Sequence, residues 1–257
     1  NIDLIMRICI IIPAYNEEDI LKESLETILK YTTNLKHIVD VLVVNDGSYD
    51  SSKIIVEQIA SKENTGKMHL ISHQLNKGYG AALNTGINYA ISHKYDYVLF
   101  MDSDLTNHPK YIKAFIDKMC DGYDYIKATR YGKGGSVSGV PWKSRFLSIV
   151  GNYIAKYLYK LPLTDLTNGF RAVNSNIFKQ MNLKESGFAI IMEELYYAKF
   201  ITNSFCEVPY ELTVRSEDQG ESKFSYNLNT CIIYFNYSLR CYFKHIYKQC
   251  YKYKYKS

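Results

Sequence analysis

The sequence predicts an α/β fold, a mostly parallel sheet flanked by helices, and three observations carry that prediction. Apolar, β-branched runs of strand length recur at Arg7 to Ile12, Val39 to Val44, Met68 to Ser72 and Tyr97 to Met101. They are continuous and not alternating, as in strands buried on both faces. Stretches of helical periodicity separate them, which is the pattern of βαβ units. Several runs also end in short polar turns, and in open α/β sheets ligands bind outside the carboxyl ends of the strands.

Pro13 stops the first run, and Ala14 to Glu18 lead into a helix with Ile20, Leu21, Leu25, Ile28 and Leu29 on one face and acidic residues in its first turn. Val39 to Val44 is followed by the turn Asn45-Asp46-Gly47-Ser48 and a helix from Ser51 to Ala60. After Met68 to Ser72 come a glycine-bearing loop, Asn76 to Gly80, and a helix from Ala81 to Ser92. The central run, beginning at Tyr97, ends in Asp102-Ser103-Asp104, two carboxylates one residue apart. Alternate residues leaving a strand point the same way, so the pair can converge on one hard cation, Mg²⁺ or Mn²⁺, that also holds a substrate phosphate. Residues up to about 105 therefore form a nucleotide-binding half.

Beyond Pro109 the pattern predicts a helix from Tyr111 to Met119 and a strand from Tyr125 to Thr129 that ends in Arg130-Tyr131. Gly132 to Gly139 holds four glycines and two serines in eight positions, which predicts a mobile loop able to close over a site. An amphipathic helix from Trp142 to Leu161 is followed by a polar turn, Leu163 to Phe170, that enters a short strand at Arg171. A helix from Glu193 to Phe200, a strand from Cys206 to Val214 and a second loop, Arg215 to Lys223, precede a tail of aromatic and basic residues. We expect one domain over 1–225, with the second half from about 106, and a tail over 226–257 that forms an amphipathic aromatic and basic helix.

The 257 residues are 47% hydrophobic and 22% charged, values of a globular chain and not of a disordered one. A net charge of +5 suits an anionic ligand or a membrane surface and gives no support to nucleic acid as a partner. Six cysteines are scattered without a CxxC pair, so neither a zinc site nor a disulfide framework is indicated, and a reducing compartment follows. No apolar run reaches the ~18 residues that span a bilayer.

Together, Ile12-Pro13-Ala14-Tyr15-Asn16-Glu17-Glu18, Val44-Asn45-Asp46-Gly47-Ser48, Asn76-Lys77-Gly78 and Met101-Asp102-Ser103-Asp104 resemble the family 2 glycosyltransferases of the GT-A fold. Ala128-Thr129-Arg130-Tyr131, Thr164-Asp165 with Gly169-Phe170-Arg171, and Gly220-Glu221-Ser222-Lys223-Phe224 resemble the dolichyl-phosphate mannose synthase branch, which moves a sugar to a polyprenyl phosphate. The resemblance implies a Rossmann-like nucleotide-binding half and an acceptor-binding second half. It implies that Pro13, Tyr15, Glu17, Asp46 and Lys77 bind the nucleotide sugar, with the Asp46 carboxylate accepting from the base. It further implies that Asp102 and Asp104 hold the metal and diphosphate, and that Arg130, Arg171 and Lys223 are the cations for the donor diphosphate and acceptor phosphate. Asp165, Glu194, Arg215 and Ser222 fall on the acceptor side. Two departures stand out: Thr106 occupies a position that is often a metal-serving Gln, and Glu217 one that is often Arg, with Arg215 two residues earlier.

The expected reaction is inverting transfer of a hexose from a nucleotide-diphosphate sugar, GDP-mannose or UDP-glucose in type, to a polyprenyl or dolichyl phosphate. A phosphate whose second pKa is near 6 is already a nucleophile and needs no base. A transferase acting on a hydroxyl acceptor would use Glu194 or Asp165 as base, and a non-catalytic nucleotide-sugar-binding subunit is a third reading. Phe224 to Tyr255 interleaves rings such as Tyr234, Tyr237, Tyr242 and Tyr247 with Arg240, Lys244 and Lys248. That mixture predicts peripheral binding to the cytoplasmic face of a membrane, alone, as a homo-oligomer or through a membrane-anchoring partner subunit.

Overall fold

A computed structural model describes residues 5–63, 66–213 and 228–254. Seven strands form one sheet: β1 (Arg7–Ala14), β2 (Ile38–Asn45), β3 (Met68–Ser72), β4 (Tyr97–Phe100), β5 (Tyr125–Thr129), β7 (Arg171–Asn174) and β8 (Phe205–Pro209). Their order is β3-β2-β1-β4-β7-β5-β8, and β7 alone runs against its neighbours. The chain leaves β1 in one direction through β2 and β3, then returns to place β4 on the other side of β1. The crevice at that reversal is where an open α/β sheet holds its ligand.

Alternation along β1 shows why its sequence carries no polar period. Ile8, Ile10 and Ile12 enter a core with α1 (Glu18–Thr32), α2 (Ser52–Lys62) and α4 (Ile112–Cys120). Cys9 and Ile11 point the other way, toward α3 (Tyr79–Ser92), α5 (Trp142–Tyr159), α6 (Ser175–Phe178), α7 (Ile190–Ile201) and α8 (Leu228–Lys254). Both faces are covered, so both sets are apolar.

The glycine-rich stretch is not the open loop its composition predicts. Ser136–Val137, β6, pairs in parallel with Glu211–Leu212, β9, and the Gly135 N–H bonds to the Gly132 carbonyl. A side chain at Gly135 would lie 2.4 Å from the Thr129 carbonyl oxygen. Its glycine therefore serves close backbone approach rather than freedom of movement.

Candidate active site

The ends of β1, β2 and β4 surround a cavity of about 260 Å³ lined by Pro13, Tyr15, Glu17, Asp46, Asn76, Tyr79, Asp102 and Asp104, among others. Turns from the first two strands brace each other. The Asn16 N–H donates to Ser48 Oγ, and Asn16 Oδ1 accepts from the Tyr49 N–H, with Asn16 held at φ +51°. Gly47, at φ +72°, packs so tightly on the Leu75–Asn76 backbone that a Cβ there would stand 2.4 Å from the Leu75 carbonyl carbon. This contact folds the 73–78 loop over Asp46, whose carboxylate takes the N–H groups of Lys77 at 3.0 Å and Gly78 at 2.8 Å and a ring nitrogen of His73 at 2.6 Å. Lys77 contributes this backbone N–H, while the residue itself is exposed and lines neither cavity described here.

Beyond β4 the chain turns sharply at Leu105, φ +58°. Asp104 Oδ1 accepts from the Thr106 N–H at 3.1 Å and hydroxyl at 2.6 Å, and Asp102 Oδ2 from the buried Asn107 amide at 2.7 Å. Thr106 therefore orients a carboxylate through its hydroxyl. Two hard oxygen donors at a cleft mouth suit Mg²⁺ or Mn²⁺. No group of three or more His, Cys, Asp or Glu gathers among the described residues.

Both aspartates also line a second, larger cavity of about 730 Å³, which runs from them and Arg130 between α5 and α8 past Leu147, Val150, Ile154, Tyr234 and Phe235. Arg130 is fixed at its inner end by a two-point pair with the fully buried Asp165, Nε to Oδ2 at 2.6 Å and Nη2 to Oδ1 at 2.8 Å. Asp165 therefore positions a cation and does not reach the cavity as a base.

Arg171 and Glu194 correct the expectation more sharply. Arg171 is wholly buried and gives Nε and Nη2 to Glu194 at 2.7 and 2.6 Å; its Nη1 donates to the Gly169 carbonyl, and its guanidinium lies 4.0 Å from the centre of the Phe100 ring. Tyr125 also donates to Glu194, at 2.5 Å. Neither Arg171 nor Glu194 lines either cavity. Arg171 is instead a strut beneath the floor, where Gly169 stands beside Tyr79 and Asp102. Opposite it across the β5–β7 register lies Lys127, fully buried with no hydrogen-bond partner for its Nζ. Burial, reinforced by the Arg171 charge, pulls its pKa down to about 7.

Sequence reasoning missed both Lys127 and the character of α5. The inward face of α5 carries Ser148, Asn152 and Ala155, whereas Trp142, Phe146, Ile149, Tyr153 and Tyr157 are exposed. Small and polar residues at helical spacing beside a stripe of large rings would have signalled this inversion. The tail behaves the other way. Cys241 and Ser238 are buried, Tyr234 donates to the Phe188 carbonyl and Tyr237 to Glu185, so much of its aromatic content packs on the body. Phe235, Phe243 and Tyr247 remain exposed. Among the described residues no helix is long and apolar enough to cross a membrane.

Residues 9–181 match the model of glycosyl transferase family 2. The chain belongs to that family. This glycosyltransferase is 28% identical over 222 residues to polyprenol monophosphomannose synthase of Mycolicibacterium smegmatis, which covers 85% of this chain and 81% of the relative. It is 29% identical over 220 residues to dolichol-phosphate mannosyltransferase of Pyrococcus furiosus, covering 85% of this chain and 59% of that longer protein. Two crystal structures of glucosyl-3-phosphoglycerate synthase from Mycobacterium tuberculosis share the fold. The complex with uridine diphosphate aligns at TM-score 0.63 and 18% identity over 92% of this chain and 80% of that one. The complex with Mn²⁺, uridine diphosphate and glucosyl-3-phosphoglycerate aligns at 0.60 and 20% over 82% and 71%. These neighbours are GT-A enzymes, so the expected fold class holds for the transferase. Arg215 and Ser222, expected on the acceptor side, and Lys223, expected as a cation for the donor diphosphate and acceptor phosphate, lie outside the described residues.

Proposed function

We propose that this transferase moves a hexose from a nucleoside diphosphate sugar to a polyprenyl phosphate, with inversion, while bound peripherally to the cytoplasmic leaflet of a membrane. The observation that carries the reading is the continuity of the two cavities. A pocket at the strand ends that carries the carboxylates Glu17 and Asp46 meets, at Asp102 and Asp104, an apolar cleft between α5 and α8 of about 730 Å³, room for the first part of an isoprenoid chain. The named activities of the two relatives support it. Asp102 and Asp104 would hold a divalent cation, which supplies charge neutralisation on the leaving diphosphate. Arg130, kept rigid by Asp165, stands where the acceptor phosphate must pass and compensates its charge. With Asp165 and Glu194 both buried in arginine pairs, neither supplies a general base, which favours an acceptor that is already anionic over a hydroxyl.

Trp142, Phe146, Tyr153 and Tyr157 on α5 and Phe243 and Tyr247 on α8 are exposed, as are the basic residues Lys143, Arg145 and Lys248 of the same helices. Exposed rings among cations suit a membrane interface, with each basic residue near an anionic surface worth about 1 kcal/mol. A test incubates the protein with nucleotide sugars, Mg²⁺ or Mn²⁺ and a short-chain polyprenyl phosphate. Labelled sugar extracting into organic solvent, with inverted anomeric configuration, is the expected result. Only water-soluble glycoside, or binding without turnover, would overturn the proposal.

A further inference from the structure

The hydrogen-bond inventory at Asp46 points to the base of the donor. A carboxylate offers about four lone-pair positions. Three are taken: two on Oδ1, by His73 Nδ1 and the Lys77 N–H, and one on Oδ2, by the Gly78 N–H. His73 is fixed from its far side, with Nε2 2.9 Å from the hydroxyl of Thr85, itself 3.1 Å from the Ala81 carbonyl. The His73 and Asp46 side chains are only 7% and 4% exposed, so the arrangement is part of the floor. Asp46 nevertheless lines the donor cavity, and of its acceptor positions the unused one is on Oδ2.

Guanine presents two adjacent donors, N1–H and the N2 amino group, which a carboxylate meets with one oxygen each. Uracil presents one, N3–H, between two carbonyls. We propose that His73 makes this a uracil pocket: by filling Oδ1 it leaves Asp46 a single acceptor, which matches N3–H and strands the second donor of guanine. Asn76, whose amide is able to donate to a carbonyl beside N3–H, lines the same cavity. The inference rests on the reading of Asp46 as the acceptor for the base of a nucleoside diphosphate sugar. His73 acts through Asp46 and is a positioning residue.

The test is calorimetric binding of uridine diphosphate and guanosine diphosphate, with Mg²⁺, to the full chain and three variants. The unmodified protein should prefer uridine diphosphate by about tenfold or more, the cost of one unpaired donor. His73→Leu frees Oδ1 and should bring the two within about threefold, chiefly by tightening the guanine nucleotide. His73→Asn keeps an N–H near the Nδ1 position and should retain the preference. A purely structural role for His73 would weaken both nucleotides together and leave their ratio unmoved. Equal or tighter binding of guanosine diphosphate by the unmodified protein overturns the proposal, as does an unchanged ratio in His73→Leu. Asp46→Ala separates the two levels. If it leaves the ratio intact, Asp46 is not the base acceptor and the underlying reading fails; if it erases the ratio while His73→Leu does not, only the role of His73 fails.

Discussion

The two cavities of this glycosyltransferase are built by different routes. Much of the smaller cavity is made from the ends of β1, β2 and β4 and the segments that follow them, so a turn such as Asn45 to Ser48 delivers its side chains wherever its strand ends. The larger cavity lies between two helices, and Asp165, Arg171 and Glu194, which the sequence marks near it, are turned away from it. Strand-end chemistry is local, whereas a cleft between helices depends on which face each helix buries. The comparison teaches that a motif arginine is as readily a beam as a hand.

Arg171 gives the largest test of that contrast. Arg171→Leu leaves Glu194 buried without its partner and should lower unfolding free energy by about 3–5 kcal/mol, while Arg171→Leu with Glu194→Leu recovers most of it. Urea unfolding reads both. If the single variant unfolds at the parental midpoint, the strut reading is wrong. Beyond the end of β4, Asp104→Asn should cut transfer by roughly 10²–10³-fold, about 3–4 kcal/mol, with the thermal midpoint unmoved. Full activity of that variant, or of the parent in excess EDTA, would remove the metal from the mechanism.

Lys127 sharpens the comparison at smaller amplitude. Replacing an unpartnered buried amine by an apolar chain of similar length, Lys127→Met, should stabilise the protein by about 1–3 kcal/mol at pH 7. The sign with pH follows from its depressed pKa, about 7 in the folded chain against a usual 10.5. Between those values the unfolded chain binds the extra proton, so parental stability rises with pH and the advantage of Lys127→Met should shrink toward pH 10. A stability difference that stays constant from pH 7 to pH 10 would show that Lys127 does not titrate there.

The smallest effect concerns the outer face of α5. Trp142→Ser, Phe146→Ser and Tyr153→Ser together should leave folding intact, since all three are exposed, and lower cosedimentation with anionic vesicles about three- to tenfold. Unchanged cosedimentation would confine membrane contact to α8 or deny it. Removing the tail from Tyr237 onward is the poorer experiment, because it also strips Ser238 and Cys241 from the core.

Most strands, most helices and the carboxylate pair at the end of β4 were legible because each rests on neighbours in sequence: a β-branched run, a helical period, a turn that follows a strand. The same holds for Asp46 and for the place of Arg130. What a side chain touches was decided elsewhere in the chain. Asp46 meets His73 from 27 positions away, Arg130 meets Asp165 from 35, and Arg171 meets Glu194 from 23. The glycines of 132–139 signalled a loop by composition, and only the approach of Gly135 to Thr129 revealed that this one is needed for room. On α5 the sequence by itself set an amphipathic helix, but which face met the body followed from the company of α8. Burial is a property of what packs against a residue, and the linear order of a chain does not contain it.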